Sequence, residues 1–187
     1  MRVLITGGSS LLGKALTESR PDNIILDSTW YTNYIPGMHQ MNVCDKSQVA
    51  YVFERAKPDV VIHCAAVGSV DYTESHYAET RQVNVLGTEN VLKASQDAKA
   101  IFVYISTNAV FSGSNPSYEE DNIRNPVNAY GSIKKQAENI VMDSRNWLII
   151  RPFLLYGYPY PGGRGNWLTT ILDKLGRGEI VQLVDDT

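Results

Sequence analysis

Residues 2–13, RVLITGGSSLLG, constrain the fold of this chain more than any other stretch. The apolar residues 3–5 predict a buried strand, Gly7 and Gly8 break it, and a helical pattern of apolar residues begins at Leu11. A strand, a glycine turn and a helix in this order place helix N–H groups and the positive end of the helix dipole against a phosphate. The stretch therefore predicts a nucleotide-binding turn, although an ordinary strand–helix connection gives the same pattern.

The glycine spacing of this turn departs from the common dinucleotide fingerprints. G-x-G-x-x-G is absent, and the wider G-x-x-G-x-x-G has Gly7 and Gly13 in place but Ser10 in the middle, where its hydroxyl can donate to a phosphate. Asp27 lies 20 positions after Gly7, where an acidic residue hydrogen-bonds the adenosine ribose of NAD. Because a carboxylate repels the 2′-phosphate of NADP and no arginine follows it, Asp27 favours NADH. The alternative is that Asp27 caps a strand or turn.

Composition indicates a globular chain of one domain, or of one domain and the start of another. Of 187 residues, 43% are hydrophobic and 20% are charged, and the net charge of −3 gives no basic footprint for nucleic acid. No apolar run is long enough for a membrane helix, and we expect no signal peptide. Cys44 and Cys64 suggest no disulfide, and His39, His63 and His76 share no metal-ligand spacing. We therefore predict a cytoplasmic protein without a metal site, in which His63 is a hydrogen-bonded core residue and Cys64 a buried, inert thiol.

The order of the predicted elements indicates an α/β fold with a doubly wound parallel sheet, because strands alternate with helices and every connection allows a crossover. Asn84 interrupts the apolar face of one long helix, which predicts a hydrogen-bonding partner for its amide. Residues 1–155 are predicted to form a Rossmann-like NAD(P)-binding domain, and residues 156–187 to begin a substrate-binding region whose remainder is missing. The predicted strands are 3–5, 23–27, 60–66, 100–106, 147–151 and 180–184. One predicted helix starts at Leu11 and a second follows the N-cap Asp45. The other predicted helices span 75–98, 129–145 and 166–176.

A threonine, a tyrosine and a lysine form the candidate catalytic group. Thr107 follows the fourth predicted strand, and Tyr130 and Lys134 lie one helical turn apart in Y-G-S-I-K. A tyrosine has a pKa near 10, and a nearby ammonium lowers that pKa toward neutrality. Thr107 can hydrogen-bond a substrate oxygen at the edge of the sheet where ligands bind. Y-x-x-x-K is common on solvated helices, so the prediction depends on its combination with Thr107, the glycine turn and Asp27.

In several stretches the chain resembles the extended short-chain dehydrogenase/reductases, and among them most closely the dTDP-4-dehydrorhamnose reductases. V-D-x-x-E at residues 70–74 and F-S-G at residues 111–113 are the more specific points of similarity. Ser10 stands where the family has glycine, and Asn108 where these reductases often have aspartate. The matching stretches are TGGSSLLG, AAVGSVDYTE, VNVLGTENV, STNAVFSG, NPVNAYGSIKKQAE and LIIRPFLLYG.

The resemblance implies a role for each matching position. Tyr130 would be the proton donor, Lys134 its activator and a ligand of the nicotinamide ribose, and Thr107 would orient the keto oxygen. The other cofactor contacts would be Gly7, Ser10 and Gly13 around the pyrophosphate, Leu12 beneath it, Asp27 at the adenosine ribose, Asn42 and Val43 beside the adenine, Cys64, Ala65 and Ala66 in the cleft, and Pro152 and Phe153 near the nicotinamide.

Three functions follow from the resemblance. The first is an NAD(P)H-dependent oxidoreductase that delivers hydride to C4 of a 4-keto-6-deoxy sugar nucleotide, in dTDP-rhamnose biosynthesis. The second is a non-enzymatic NAD(P)-binding regulatory subunit, which Ser10 and the short C-terminal part favour. The third is a nucleotide-sugar epimerase or dehydratase, which recycles its cofactor. The expected small-molecule partner is a nucleotide sugar, no nucleic acid or membrane partner is expected, and a homodimer is possible.

Overall fold

The chain folds as strands that alternate with helices, in a computed structural model that describes residues 1–114 and 117–182. The strands are β1 Arg2–Thr6, β2 Ile25–Trp30, β3 His39–Gln40, β4 Val60–His63, β5 Ile101–Ile105 and β6 Trp147–Ile150. The helices are α1 Leu11–Glu18, α2 Lys46–Ala56, α3 Val70–Ser75, α4 Tyr77–Arg81, α5 Gly87–Asp97, α6 Ala129–Met142 and α7 Trp167–Gly176, with a π-helical turn at Gln82–Leu86 and a 3-10 turn at Asn108–Val110.

The described strands form one parallel sheet in the order β3-β2-β1-β4-β5-β6. The chain builds one half of the sheet outward from β1 and then returns to build the other half outward from β4. A crevice therefore opens between β1 and β4 at the carboxyl edge, where ligands bind in folds of this kind. The predicted α/β fold with a doubly wound parallel sheet is confirmed.

The main hydrophobic core lies between the sheet and the helices α2, α5 and α6, which pack side by side. Leu4, Val61 and Phe102, from three neighbouring strands, are each at most 1% exposed there. Right-handed crossovers that run in opposite directions along a sheet place their helices on opposite faces, so α1 covers the other face. The two halves of the sheet thus bring the turns after β1, β4 and β5 to one edge.

Strand β2 is longer than predicted, because it continues three residues beyond Asp27 to Trp30. Ser28 and Thr29 are polar but buried, at 6% and 1% exposure. The Thr29 hydroxyl accepts a hydrogen bond from the Gly7 N–H at 3.1 Å, which supplies the partner that a buried polar group needs. The apolar pattern ends at Asp27 in the sequence, while tertiary contacts extend the strand.

The long helix predicted over residues 75–98 is divided into α4, the π-helical turn and α5, and α3 precedes it. Asn84 lies in the π-helical turn and is 1% exposed. Its side-chain oxygen accepts from the Val67 N–H at 2.8 Å, and its amide donates to the Val67 carbonyl at 3.0 Å. The partner predicted for Asn84 is therefore present.

Strand β6 forms an edge of the described sheet and leaves apolar side chains exposed. Leu148 and Ile150, which lie on one face of the strand, are 51% and 43% exposed. The strand predicted over residues 180–184 is absent at residues 180–182, and its remaining two residues lie outside the described part of the chain.

Candidate active site

The glycine turn after β1 packs directly against the segment that follows β4. Gly7 has φ +69°, and a Cβ at this position would lie 2.7 Å from the backbone of Ala65. Gly13 faces back onto the turn, and a Cβ there would lie 2.5 Å from the Gly7 carbonyl oxygen. Both glycines are therefore required by close backbone approach, and the predicted neighbours Gly7, Gly13, Cys64 and Ala65 lie together.

Ser10 occupies the middle position of the turn and is the N-cap of α1. Its Oγ accepts a hydrogen bond from the Gly13 N–H at 3.1 Å, which leaves the hydroxyl hydrogen available to donate. The N–H groups of Leu11 and Leu12 precede the first intrahelical hydrogen bond of α1. This helix end can therefore receive an anion although the middle glycine is absent.

Asp27 contacts an arginine and a histidine on neighbouring strands. Its Oδ1 lies 3.1 Å from His39 Nε2, and its Oδ2 lies 3.6 Å from a guanidinium nitrogen of Arg2. In the sheet it pairs with Leu4, in the middle of β1. The role of Asp27 as a ribose ligand stays a prediction. To bind the ribose, the Asp27 carboxylate would have to accept a further hydrogen bond beside its contacts with His39 and Arg2.

Thr107 and Tyr130 lie on two elements that touch. Thr107 is the N-cap of the 3-10 turn, and its Oγ1 accepts from the Ala109 N–H at 3.1 Å. Gly131 follows Tyr130 in the first turn of α6, and a Cβ there would collide with the Ala109 carbonyl oxygen. The absence of a side chain at Gly131 thus brings α6 against the turn that begins at Thr107.

Lys134 is 2% exposed, and its ammonium is directed at the end of β5. Its Nζ donates to the Ile105 carbonyl at 2.7 Å and lies 4.2 Å from the centre of the Tyr104 ring. Burial lowers the pKa of Lys134 to about 7, although the charge of Glu138 and the thiol of Cys64 act in the opposite direction. Near neutral pH this lysine can therefore hold or release a proton.

The Tyr130 phenol has a pKa above its ordinary value, because burial disfavours the phenolate. The expectation that Lys134 lowers this pKa is wrong for this structure. The ammonium is bound to the Ile105 carbonyl and is itself desolvated, so the burial of Tyr130 outweighs it. Tyr130 consequently keeps its proton at neutral pH.

His63 is the last residue of β4, and Cys64 follows it. The His63 ring nitrogens contact the hydroxyls of Thr6 and Thr88, at 2.6 and 3.1 Å, which confirms a hydrogen-bonded core histidine. Burial, with a smaller contribution from Lys134, lowers the pKa of His63 to about 3. Burial raises the pKa of the Cys64 thiol to about 12, so the thiol stays protonated at neutral pH. The residue as a whole is half-buried, and its inertness stays a prediction.

The remaining predicted cofactor neighbours differ in burial and in hydrogen-bond partners. Asn42 uses its side-chain oxygen to accept from the Cys44 N–H at 3.0 Å, and Val43 is buried in the core. The Pro152 carbonyl accepts from the Asn108 N–H at 3.1 Å, whereas Phe153 is 80% exposed. Their roles at the cofactor, like those of Leu12 and Ala66, stay predictions.

The model of the family described as "RmlD substrate binding domain" matches residues 1–187. The chain belongs to the RmlD substrate binding domain family.

Solved structures of dTDP-4-dehydrorhamnose reductases have the same fold as this RmlD-family chain. The enzyme of Bacillus anthracis, solved in complex with NADP, has a TM-score of 0.82 and 32% identity, over 96% of this chain and 61% of that one. A hypothetical dTDP-4-dehydrorhamnose reductase of Sulfolobus tokodaii has a TM-score of 0.84 and 27% identity, over 97% of this chain and 64% of that one. The resemblance inferred from the motifs is confirmed.

A curated relative of the RmlD-family chain has a different description. Methionine adenosyltransferase 2 subunit beta of Bos taurus is 35% identical over 158 residues, which cover 83% of this chain and 47% of that protein. The chain thus spans about half the length of the curated relatives that it matches first.

Sequence reasoning missed Thr29 and Gly131 as parts of the site of this RmlD-family chain. The signal for Gly131 was a glycine inside a helix, directly after the tyrosine. Thr29 gave no signal, because its bond to the Gly7 N–H joins residues 22 positions apart.

Residues 1–114 and 117–182 of the RmlD-family chain contain neither a candidate metal site nor a candidate membrane span. No cluster of three or more His, Cys, Asp or Glu side chains there is placed to hold a metal ion. None of the helices in these residues has the length and apolar character needed to cross a membrane.

Proposed function

We propose that this chain binds a nicotinamide cofactor at the glycine turn and acts as a reductase of a 4-keto-6-deoxy nucleotide sugar. The first substrate to test is dTDP-4-dehydrorhamnose. The observation that carries the proposal is the arrangement of Thr107, Tyr130 and Lys134 at one edge of the sheet, beside the turn. The relative from Bacillus anthracis, a dTDP-4-dehydrorhamnose reductase in complex with NADP, supports this choice of cofactor and substrate.

The residues of the turn fit the cofactor. Gly7 and Gly13 allow the turn to pack closely against Ala65 and against the start of α1, and Ser10 together with the first N–H groups of α1 can bind the pyrophosphate. Asp27 is our proposed ribose ligand, and with it NADH is preferred over NADPH. When bound, the nicotinamide supplies the hydride.

The protein side of the reaction is the delivery of one proton. Tyr130, which burial keeps protonated, donates the proton of its hydroxyl to the keto oxygen of the substrate. Thr107 orients that oxygen with its own hydroxyl, whose present acceptor, the Asn108 side chain, is distant at 3.5 Å. Lys134, with a pKa of about 7, is our proposed ligand of the nicotinamide ribose, and when it is protonated its charge acts against the burial that raises the Tyr130 pKa.

Tyr130→Phe tests this assignment, because it removes the proton donor and keeps the ring. We expect turnover of dTDP-4-dehydrorhamnose to fall about 10²- to 10⁴-fold, the range for a positioned proton donor, with unchanged cofactor binding. The control is Tyr51→Phe, which alters an exposed tyrosine of α2. NADH consumption at 340 nm is the readout, and a loss of only a few-fold in Tyr130→Phe would exclude the assignment.

A second candidate is a regulatory subunit that binds cofactor without turnover. The 35% identity to the subunit beta of Bos taurus favours it. Capture of a methionine adenosyltransferase in stoichiometric amount, with no consumption of NADH or NADPH, would support this candidate. Conversion of a nucleotide sugar without net cofactor consumption would indicate an epimerase or dehydratase instead. Light scattering, which measures the molar mass in solution, tests whether the chain forms a homodimer.

A further inference from the structure

Glu138 of α6 has no exposed side-chain surface, and two arginines bind its carboxylate. Arg151 contacts it as a fork, with Nε donating to Oε1 and Nη2 donating to Oε2, both at 2.9 Å. Arg124 adds a third bond, from Nη1 to Oε2, at 2.9 Å. Burial alone would raise the pKa of Glu138, but Arg151, the Ser106 hydroxyl and Arg124 together lower it, so the carboxylate is ionised.

Glu138 lies on the same face of α6 as two of the proposed catalytic residues. Tyr130, Lys134 and Glu138 follow one another at intervals of four residues, so they form one row along the helix. Any rotation or translation of α6 that moves Tyr130 and Lys134 therefore also moves the Glu138 carboxylate. A bidentate arginine–carboxylate pair tolerates little such movement, because both hydrogen bonds require the guanidinium and the carboxylate to lie in one plane.

The two arginines come from two other elements of the site. Arg124 lies in the segment before α6, and Arg151 directly follows β6. A third nitrogen of Arg151 donates to the Glu120 carbonyl at 2.8 Å, which fixes the guanidinium from the opposite side. The carboxylate thus joins α6 to both the preceding segment and the end of the sheet.

The end of β6 continues to the third proposed catalytic residue. Pro152 follows Arg151, and its carbonyl accepts from the Asn108 N–H at 3.1 Å. Asn108 is the neighbour of Thr107. One buried carboxylate is therefore connected, through Arg151 and the Pro152–Asn108 bond, to the residue that orients the substrate oxygen.

We propose that Glu138 is a positioning residue of the active site, because its bridge to Arg151 and Arg124 sets α6, with Tyr130 and Lys134, against the segment that holds Thr107. This inference rests on the proposed function. A stabilising role alone accounts poorly for the arrangement, since buried ion pairs are often no more stabilising than apolar side chains of similar volume.

Glu138 also acts on Lys134 through its charge. It lies one helical turn from the ammonium and raises the pKa of Lys134, against the effect of burial. The ionised form of Lys134 therefore depends on Glu138. The titratable groups that surround Lys134 are His63 and Cys64 at the end of β4, Tyr104 of β5, and Tyr130 and Glu138 of α6 itself.

Two substitutions separate charge from position. Glu138→Gln removes the charge, and we expect the titration midpoint of Lys134 to fall below the wild-type value. Glu138→Asp keeps the charge but shortens the side chain, so the midpoint should stay near wild type while kcat falls about 10-fold or more, with little change in KM. The control Asp97→Asn removes one charge from the exposed pair with Lys93, at 3.7 Å, and should change neither quantity.

The measurements are steady-state kinetics and an NMR titration of ¹³C-labelled lysine, in which Lys134→Met identifies the Lys134 signal. An unchanged midpoint in Glu138→Gln, or wild-type kcat in Glu138→Asp, overturns the inference. If Glu138→Gln does not fold, Arg151→Lys replaces it: this variant keeps the charge but loses the fork, and a wild-type kcat would again overturn the inference. If the wild-type chain has no turnover, the proposed function fails and the positioning role fails with it, and the Lys134 midpoint in Glu138→Gln then tests only the effect of the Glu138 charge on Lys134.

Discussion

His63 links three elements of the structure through a single ring. One nitrogen contacts the Thr6 hydroxyl, directly before the glycine turn, and the other contacts the Thr88 hydroxyl of α5. The ring is 1% exposed, and protonation would place a charge in this buried position. The pKa of about 3 follows from this environment and from the nearby Lys134.

We expect His63 to make the protein sensitive to acid. In the unfolded chain a histidine has a pKa near 6.5, so between about pH 6.5 and 3 the unfolded state binds a proton that the native state does not. Stability is therefore lost as the pH falls through this window, by about 3 kcal/mol at pH 4.5 from His63 alone.

Urea denaturation of wild type and His63→Gln at pH 7 and pH 4.5 tests this expectation. At pH 7 the variant should have a lower free energy of unfolding than wild type, because the contacts of the ring with two hydroxyls are lost. Between pH 7 and pH 4.5, the free energy of unfolding should fall less in the variant than in wild type. The exposed His76 provides the control His76→Gln, which should retain the acid sensitivity. Equal losses in wild type and His63→Gln would contradict the account.

At the scale of elements, the approach of α6 to the 3-10 turn depends on Gly131. We expect Gly131→Ala to destabilise the protein by about 1–3 kcal/mol, the cost of overpacking, because its Cβ would collide with the Ala109 carbonyl. Turnover should fall as well, since Tyr130 precedes this glycine. In the control Gly176→Ala, the added Cβ of α7 meets no atom within 4 Å.

Thermal denaturation of the two variants and of wild type provides the measurement. A lower Tm for Gly131→Ala together with an unchanged or higher Tm for Gly176→Ala is the expected result, because alanine favours a helix over glycine where space allows. Equal melting temperatures for Gly131→Ala and wild type would mean that α6 does not depend on this contact.

The elements with apolar runs were predictable, and those formed by distant contacts were not. Val61 and Phe102 lie in uninterrupted apolar stretches, so β4 and β5 were identified within a few residues. The predicted strand 23–27 leaves Thr29 out, because the partner of its hydroxyl, Gly7, is distant in sequence. The π-helical turn at Gln82–Leu86 likewise follows from the tertiary bonds of Asn84 to Val67.

The residues of the candidate site were predictable from motifs, but their electrostatics were not. Spacing alone places Tyr130 and Lys134 on one face of α6. The near-complete burial of Lys134, the partial burial of Tyr130 and the bond from Lys134 to the Ile105 carbonyl arise when α6 packs against the sheet. These contacts reverse the expected direction of the Tyr130 pKa shift.

At the scale of the whole molecule, the sheet brings together turns that are far apart in sequence. The order β3-β2-β1-β4-β5-β6 places the turns after β1, β4 and β5 at one edge, and with them Gly7, Cys64 and Thr107. The chain matches 61% of the length of the Bacillus anthracis reductase and 47% of the bovine subunit beta. The proposed cofactor site lies at the sheet edge, within this chain, so it can be tested with this chain alone.

Calorimetric titration with NADH and with NADPH, for wild type and for Gly13→Ala, is the most direct test of the cofactor site. We predict that wild type binds a nicotinamide cofactor, with NADH tighter than NADPH if Asp27 binds the ribose. Gly13→Ala should bind at least about 10-fold more weakly, a loss of about 1.4 kcal/mol, because its Cβ would displace the Gly7 carbonyl and the turn with it. If wild type binds neither cofactor, or if folded Gly13→Ala binds as tightly as wild type, the glycine turn is not the cofactor site.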